Sequence, residues 1–358
     1  MSDSEHKENA ISRAPVLVVA IAQFALIHLI TSGVIAFTHR TSSVRPVAFA
    51  SILVLACSLQ NTVVAWEGYL SIAAGLSLFS WMNTFSALDL FFHSRVTYDQ
   101  HLEWLRSKKA NLQALTLPRR IRWALQMPLN YRRTFDTDRP DYIPTRTTFV
   151  LNRLLVTLLS HITLFFLSKI MNEFDFSLSN LPSRCYICTF FLIGASTAQN
   201  AHYNTVSVLA VILHLTTWHQ SFRQFLTTNA DFITFSILRL KSRSTPARYS
   251  RFFFSFLLSA LIHVFSDDAC GTPRRESGVW LFFIIQPVAF AVEECAQWVS
   301  KRHGILSEDR PLRLLVGYVW VVGVCTLTWP IWFFPQLRET VLGKGELSID
   351  FLHLPVVL

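Results

Sequence analysis

Charged side chains are scarce in this sequence. Asp, Glu, Lys and Arg make up 15% of the 358 residues, well below the roughly 25% typical of soluble domains. Glycine is also rare, with 11 in the chain, whereas hydrophobic residues reach 51%. Several apolar runs are ~20 residues long, which is enough to cross a bilayer as a helix. The composition excludes an ordinary soluble domain and predicts a multi-pass protein of the lipid bilayer.

Clustered cysteines are also missing. The six cysteines are scattered, and only Cys185 and Cys188 lie close together. Without a second pair or a nearby histidine cluster they are poor zinc ligands. We expect them to behave as small apolar residues at the start of a membrane span. No metal is therefore predicted.

The fold class that follows is an all-α polytopic membrane helical bundle with about eight spans. Residues 1–14 are polar, 15–334 form a single membrane domain, and 335–358 form a short tail. The first apolar run is too long for a cleaved signal peptide, so we expect a signal anchor. The predicted spans are 15–37, 47–66, 69–92, 149–171, 185–218, 251–266, 278–299 and 313–334. The fifth is too long for one straight helix, and we expect it to be broken or bent near Asn200 to Asn204.

Basic residues concentrate in loops between the spans. The chain has a net charge of +9, and the loop position of its basic residues indicates positive-inside asymmetry and not nucleic-acid binding. Four basic loops fall on one side, which is predicted to be cytosolic: 38–46, 93–148, 219–250 and 300–312. The acidic turn 67–68 and the loop 172–184 fall on the other side, and both termini would be lumenal. Within the longest loop, residues 119–129 mix basic and apolar residues as an interfacial helix does.

The first chemical motif ends the long apolar run at 185–218. It places Trp218, His219, Gln220 and Arg223 together at the end of a predicted helix. His219 and Arg223 are four residues apart and therefore share one helix face. Such nitrogen donors are costly near hydrocarbon and suggest a function. The alternative is an interfacial helix end, with Trp at the headgroups and His and Arg in water.

The second motif is an apolar helix that carries a polar stripe. Ser255, Ser259, His263 and Asp267 follow one another at steps of four, which places them on one face. A buried neutral imidazole accepts a proton near neutral pH. His263 is therefore a candidate general base, and the alternative is a structural histidine bonded to a carbonyl within the bundle.

Together the two motifs resemble the membrane-bound O-acyltransferase superfamily, and within it the wax-synthase-like branch. The matching elements are Trp218-His219-Gln220 with Arg223, followed by Leu258-Ser259-Ala260-Leu261-Ile262-His263. The resemblance covers roughly the last half of the chain. Leu215-Thr216-Thr217 replaces the usual Phe-Trp-Gly-type prelude and Arg pair. In this the sequence is more similar to divergent fungal terpenoid acetyltransferases than to plant wax synthases.

The resemblance implies a function for both histidines. His263 would deprotonate an alcohol, and His219 would steady the thioester or the oxyanion that forms from it. Trp218, Gln220, Arg223 and Ser259 would support substrate binding, with Arg223 near the phosphates of the acyl-CoA co-substrate. The expected donor is acetyl-CoA, the acceptor is a terpenoid or fatty alcohol, and the location is the endoplasmic reticulum. The sequence leaves the oligomeric state open.

A third polar set lies in the seventh predicted span. Gln286, Glu293 and Gln297 fall on one helix face, and wax-synthase-like chains often have a similar Gln-Pro followed by Glu. We interpret this set as a structural polar seam first and as acceptor contacts second. His28, His161 and His214 are lone histidines, which we expect to be satisfied within the core.

Two rival functions remain at this point. A membrane prenyltransferase or terpene cyclase would hold diphosphate through magnesium on Asp-rich motifs. Asp267-Asp268 has no third Asp, and Asp136, Asp138 and Asp141 are interleaved with arginines. Both sets are therefore interpreted as solvated loop charges. The other rival is a transporter or non-catalytic membrane protein, in which the polar stripes line a pathway.

Overall fold

The computed structural model describes residues 3–66, 70–107, 116–129, 145–173, 181–212, 222–304 and 310–340. These residues contain no strand and form the following helices: α1 (Asp3–Phe37), α2 (Val44–Val64), α3 (Leu70–Leu88), α4 (Tyr98–Ser107), α5 (Leu117–Gln126), α6 (Arg146–Glu173), α7 (Leu181–Ile212), α8 (Phe222–Asp231), α9 (Thr245–Ala269), α10 (Val279–His303) and α11 (Arg310–Thr340). Three short segments extend α3, α5 and α8: π-helical Asp89–His93, 3₁₀-helical Met127–Leu129 and π-helical Phe232–Ile237. The predicted all-α class is confirmed.

Six helices of the described chain are long and apolar enough to cross a membrane. They are Pro15–Phe37, Val44–Val64, Arg146–Ile170, Thr245–Ala269, Val279–His303 and Leu312–Phe333. They match six of the predicted spans and confirm a polytopic membrane bundle. The other two predicted spans, 69–92 and 185–218, fall on α3 and α7, which are not among the six. In α3 a buried set of Ser, Thr and Asn side chains lowers the hydropathy, so a count of eight stays a prediction.

Two stretches that were predicted as loops contain helices. α4 and α5 lie within 93–148, and α8 lies within 219–250. The latter stretch also contains the first turns of α9, which begins at Thr245 and not near residue 251. A Ser244 side chain caps this helix by accepting from the Ala247 N–H. The helix at 119–129 was expected, but hydropathy alone missed α4 and α8 because short helices with polar faces have low mean hydropathy.

The helix α5 is anchored to α1 by an arginine. Arg120 Nε donates to the Ala36 carbonyl over 2.7 Å. Its guanidinium also lies 5.0 Å from the ring centroids of both Phe37 and Tyr98. The expected helix at 119–129 is thus present and packs on the bundle through its basic as well as its apolar side chains.

Arg45 is buried, although it was predicted to belong to a basic turn. It lies in the first turn of α2 with 2% of its surface exposed. Its guanidinium donates to the carbonyls of Leu90, Phe91 and Val96 at 3.3, 3.3 and 2.7 Å. These carbonyls follow the end of α3, where helix carbonyls lack intrahelical partners and attract cations. Arg45 therefore ties α2 to the end of α3.

Of the break or bend predicted near Asn200 to Asn204, the break is absent, since α7 runs continuously from Leu181 to Ile212. The buried Asn204 explains how it carries polar groups without breaking. Its Nδ2 donates to the Asn200 carbonyl over 2.6 Å, and its Oδ1 accepts from Arg153 of α6 over 2.9 Å. The asparagines therefore join two helices, and the polar residues stabilise packing where a break was expected.

The helix α9 is shared by the two largest hydrophobic cores. Ile262 packs in a core formed mainly by α1, α2 and α3. Ala260 and Val264 pack in a second core, to which α6, α7, α10 and α11 contribute. Because these residues face different sides of one helix, α9 lies in the middle of the bundle. This position places the polar side chains of α9 among buried aromatic rings.

Candidate active site

His263 lies between aromatic rings from two neighbouring helices. The Phe283 ring of α10 stacks on the imidazole, with centroids 5.3 Å apart and an interplanar angle of 14°. The Trp332 ring of α11 meets it edge-on at 4.7 Å and 65°. Both rings belong to the second core, which is otherwise apolar. Packing against these rings therefore holds the imidazole in position.

The Nδ1 atom of His263 is buried and has no hydrogen-bond partner within the described part of the chain. Buried polar atoms are nearly always bonded, so an exception needs an explanation. The alternative of a structural histidine bonded through this atom to a bundle carbonyl finds no support among the described residues. An imidazole nitrogen left open in an apolar surrounding is suited to exchange a proton with a bound hydroxyl.

Asp267 was interpreted as a solvated loop charge, and this interpretation was wrong. The residue lies within α9, one turn after His263, and none of its surface is exposed. Its Oδ2 accepts from the Ser277 hydroxyl over 2.7 Å, and its Oδ1 accepts from Trp332 Nε1 over 3.5 Å. The next residue, Asp268, points elsewhere and accepts from Gln60 and Arg274. The two adjacent carboxyls therefore have different partners.

Only at one end of the polar stripe of α9 do the side chains gather into a common cluster. Ser255 bonds its own helix, with Oγ donating to the Arg251 carbonyl over 2.8 Å, as serines in helices often do. Ser259 is partly buried one turn before His263. Of the four predicted members, His263 and Asp267 are brought together around Trp332, and Ser255 takes no part in that cluster.

The polar set of α10 divides into two separate contacts. Gln286 Nε2 donates to the Thr328 hydroxyl of α11 over 3.3 Å, which fits the predicted structural seam. Glu293 accepts from Gln297 over 2.9 Å on a partly exposed surface. The neighbouring Glu294 instead accepts from two residues of α9, which are Arg248 and Tyr249. Sequence reasoning named Glu293 and missed this interhelical role of Glu294.

The remaining predicted histidines differ in burial. His28 is partly buried, with Nε2 2.9 Å from the Leu125 carbonyl, which confirms the expected core role. His161 is exposed on α6, so the core assignment was wrong there. Its Nδ1 lies 2.8 Å from the Thr157 carbonyl of its own helix. His214 lies outside the described residues.

Of the first motif, the structure describes only the last residue, Arg223. Trp218, His219 and Gln220 lie outside the described residues, and Arg223 is described in its backbone alone, in the first turn of α8. The side chains of Cys185 and Cys188 and the Asp136 cluster also lie outside. Among the residues that are described, no group of three His, Cys, Asp or Glu side chains is placed to hold a metal ion.

α8 and α9 form a helical hairpin, and the start of α8 lies close in sequence to the first motif. The two helices pack together, and Arg251 binds Asp231 with Nη2 3.0 Å from Oδ2. From Asp231 back to Phe222 is about 13 Å along a helix axis, and from Arg251 on to His263 is about 18 Å. The start of α8 therefore lies within about one helical turn of the level of His263.

The comparison with known proteins matches this part of the chain. Residues 216–285 fit the profile of the membrane bound O-acyl transferase family, and they include α8, α9 and the start of α10. The resemblance to that family is confirmed.

The chain is also similar to several fungal proteins that are named acetyltransferases. Acetyltransferase pyr8 of Aspergillus fumigatus is 36% identical over 124 residues, which are 34% of this chain and 29% of the relative. Acetyltransferase aurG of Calcarisporium arbuscula is 33% identical over 144 residues, covering 38% of this chain and 35% of the relative. Acetyltransferase fsoF of Humicola fuscoatra is 31% identical over 169 residues, covering 38% and 40%. The chain thus spans between 29% and 40% of the length of these relatives, and no solved structure matches it.

The structure shows which residues around His263 and Asp267 sequence reasoning missed. Phe283 lies within the matched stretch, and Trp332 lies beyond it, in the part of α11 that was interpreted only as the end of a span. Ser277, which binds Asp267, lies in a connection that was given no role. The signal available for Trp332 was its spacing of three from Trp329, which places two indoles near one helix face.

Proposed function

We propose that this protein is a membrane O-acyltransferase that moves an acetyl group from acetyl-CoA to the hydroxyl of a hydrophobic alcohol. The observation that carries the proposal is the buried Nδ1 of His263, which has no partner among the described residues and lies in the stretch that matches the family. The acetyltransferase names of the relatives support acetyl as the acyl group.

His263 acts as the general base. An alcohol is a poor nucleophile until its proton is removed, so His263 takes the hydroxyl proton as the oxygen attacks the thioester carbonyl. The tetrahedral intermediate then breaks its carbon–sulfur bond and releases coenzyme A. The leaving thiolate needs no strong acid, because a thiol has a pKa of about 8.5, and it recovers the proton from His263. The products are the acetyl ester and free coenzyme A.

His219 supplies a hydrogen bond to the thioester oxygen. We propose that it acts beside His263 because it lies three residues before Phe222, the first described residue of α8, and so within about 11 Å of it along the chain. A donor aimed at a developing oxyanion is typically worth about 3 kcal/mol. Trp218, Gln220 and Arg223 complete this donor side, with Arg223 near the phosphates of coenzyme A.

The acceptor is an apolar alcohol of the terpenoid or fatty class. The aromatic rings that surround His263 favour an apolar molecule that offers one hydroxyl. Gln286, Ser259 and Glu293 are the polar residues proposed to contact it, and Gln286 is nearest in sequence to the Phe283 ring. An enzyme that esterifies such alcohols meets its substrate in the bilayer, and we propose the endoplasmic reticulum as its location.

The test is mass spectrometry of a panel of terpenoid and fatty alcohols incubated with membranes that contain the protein and acetyl-CoA. The expected product is heavier by one acetyl group. His263→Ala should abolish it while the protein still accumulates in membranes. The matched control is His161→Ala, since His161 is exposed and bonds its own helix; it should keep wild-type activity. Near-normal turnover by purified His263→Ala would refute the role of the base.

The same assay separates the rival functions. An acyltransferase requires the acyl-CoA and tolerates a chelator, whereas a prenyltransferase stops when magnesium is removed. A transporter moves its substrate without changing the mass. Product that forms without acyl-CoA, or substrate that crosses the membrane unchanged with no product, would overturn the proposal.

A further inference from the structure

We infer that Asp267 is a positioning residue for the acyl transfer, because it holds the two aromatic rings that fix the orientation of His263. The inference rests on the proposed function for its catalytic consequence. It concerns a carboxyl that the proposed reaction does not use directly. Asp267 acts through Trp332 and through the start of α10.

The carboxyl of Asp267, one helical turn after His263 on α9, joins three helices. It belongs to α9, and its two oxygens accept from different neighbours: Oδ2 from Ser277 over 2.7 Å and Oδ1 from Trp332 over 3.5 Å. Ser277 in turn accepts from the backbone N–H of Val279, the first residue of α10, over 3.3 Å. One buried side chain thus fixes the beginning of α10 and an indole of α11 relative to α9.

These two helices carry the rings that enclose the imidazole. Phe283 follows Val279 by four residues, about one turn further along α10, and it stacks on one face of His263. Trp332 meets the imidazole edge-on. Because no described residue bonds Nδ1 of His263, packing against these rings sets the orientation of the imidazole. A shift of either helix would rotate or displace the base.

The geometry requires a carboxyl in particular. An ionised carboxylate accepts at two oxygens, whereas an asparagine amide accepts at one oxygen and its NH₂ group only donates. Asparagine at position 267 can therefore serve Ser277 or Trp332, but not both. Alanine serves neither and leaves both buried donors without this acceptor. Activity should therefore fall in the order Asp, Asn, Ala.

The experiment measures kcat and KM of the full-length protein in membranes, per amount of folded protein. Asp267→Ala is expected to lower kcat by about 100-fold, the loss that about 1 Å of misplacement causes, with the KM for acetyl-CoA unchanged. Asp267→Asn should be intermediate. Trp332→Phe keeps a ring and removes only the N–H, so it should also lower kcat. The double variant Asp267→Ala/Trp332→Phe should be no slower than Asp267→Ala, because the second change removes a bond that is already lost.

The matched control is Asp268→Asn. It changes the adjacent carboxyl, whose partners are Gln60 and Arg274, and it should keep the wild-type kcat. Wild-type kcat for both Asp267→Asn and Trp332→Phe, or a fully additive double variant, would overturn the inference. If Asp267→Ala does not fold, the Asn and Phe variants decide the question by the same criteria.

Failure of the proposed function gives a different result. If the wild-type protein acetylates none of the alcohols, the proposed function fails. The link between Asp267 and Trp332 is then tested by thermal unfolding. Asp267→Ala, Trp332→Phe and their double variant should then show non-additive losses in the unfolding midpoint. Additive losses would show that Asp267 does not act through Trp332 and would overturn the inference independently of activity.

Discussion

Replacing Arg45 should destabilise the protein by an amount that its contacts allow us to work out. Arg45→Met keeps an unbranched stem of similar shape and removes the guanidinium. The Leu90 carbonyl keeps a bond from the Val96 N–H over 3.0 Å, but the Phe91 and Val96 carbonyls lose their charged donor. A buried acceptor left unpaired costs about 1–3 kcal/mol, so two cost about 2–6 kcal/mol. Part of this cost is offset because the variant no longer buries a charge. We therefore expect the free energy of unfolding to fall by about 2–4 kcal/mol.

The assay is unfolding of the purified protein in detergent, followed by circular dichroism, with Arg40→Met as the matched control. Arg40 is exposed in the turn before α2, so its replacement should change stability by less than about 0.5 kcal/mol. Arg45→Lys should be intermediate, since it keeps the charge but has no planar fork to reach three carbonyls at once. Equal stability of the Arg45→Met and Arg40→Met variants would refute the assignment of Arg45 as the tie between α2 and α3.

Three further predictions concern other parts of the chain. A cysteine placed near Asn111, in the basic segment 93–148, should react with an impermeant thiol reagent from the cytosolic side; labelling only from the lumenal side of sealed microsomes would reverse the orientation. His219→Asn should keep more activity than His219→Ala, since an amide still donates but cannot act as a base; equally inactive, well-folded variants would contradict a donor role. Burial lowers the pKa of His101, so its contribution to stability is full above about pH 6.5 and is lost as pH falls below it. His101→Phe should weaken that acid dependence of the unfolding midpoint, whereas the same change at the exposed His39 should leave it as it was.

The sequence predicted the parts of the fold that depend on local composition. Apolar runs identified the six helices that are long and apolar enough to span a membrane, because length and hydropathy are properties of one segment. A step of four placed His263 and Asp267 on one helix face, because helix geometry is local as well. The family resemblance rested on the same short-range spacing, and the profile match confirmed it.

Burial of polar groups could not be predicted in this way, because it depends on partners that are distant in sequence. Arg45 was placed in a basic turn, since nothing near it indicates that carbonyls some 45–51 residues later will enclose it. Asp267 was interpreted as a loop charge for the same reason. Its partner Trp332 is 65 residues away and belongs to a different helix. Charge in a membrane protein is therefore best interpreted after the neighbours of each helix are known.

The position of the two histidines illustrates the same limit in the candidate site. On a chain of straight spans joined by loops, His219 falls near the cytosolic end of one span and His263 near the lumenal end of another, which places them too far apart for one reaction. That conflict depended on interpreting 219–250 as a loop. In the structure this stretch contains α8, which folds back along α9 and is held there by the contact between Asp231 and Arg251. A helix of ten residues recovers about 15 Å along the bundle axis, which is about half the thickness of the hydrocarbon core. The return of α8 along α9 therefore brings Phe222, which follows His219 by three residues in the chain, to within about one helical turn of the level of His263.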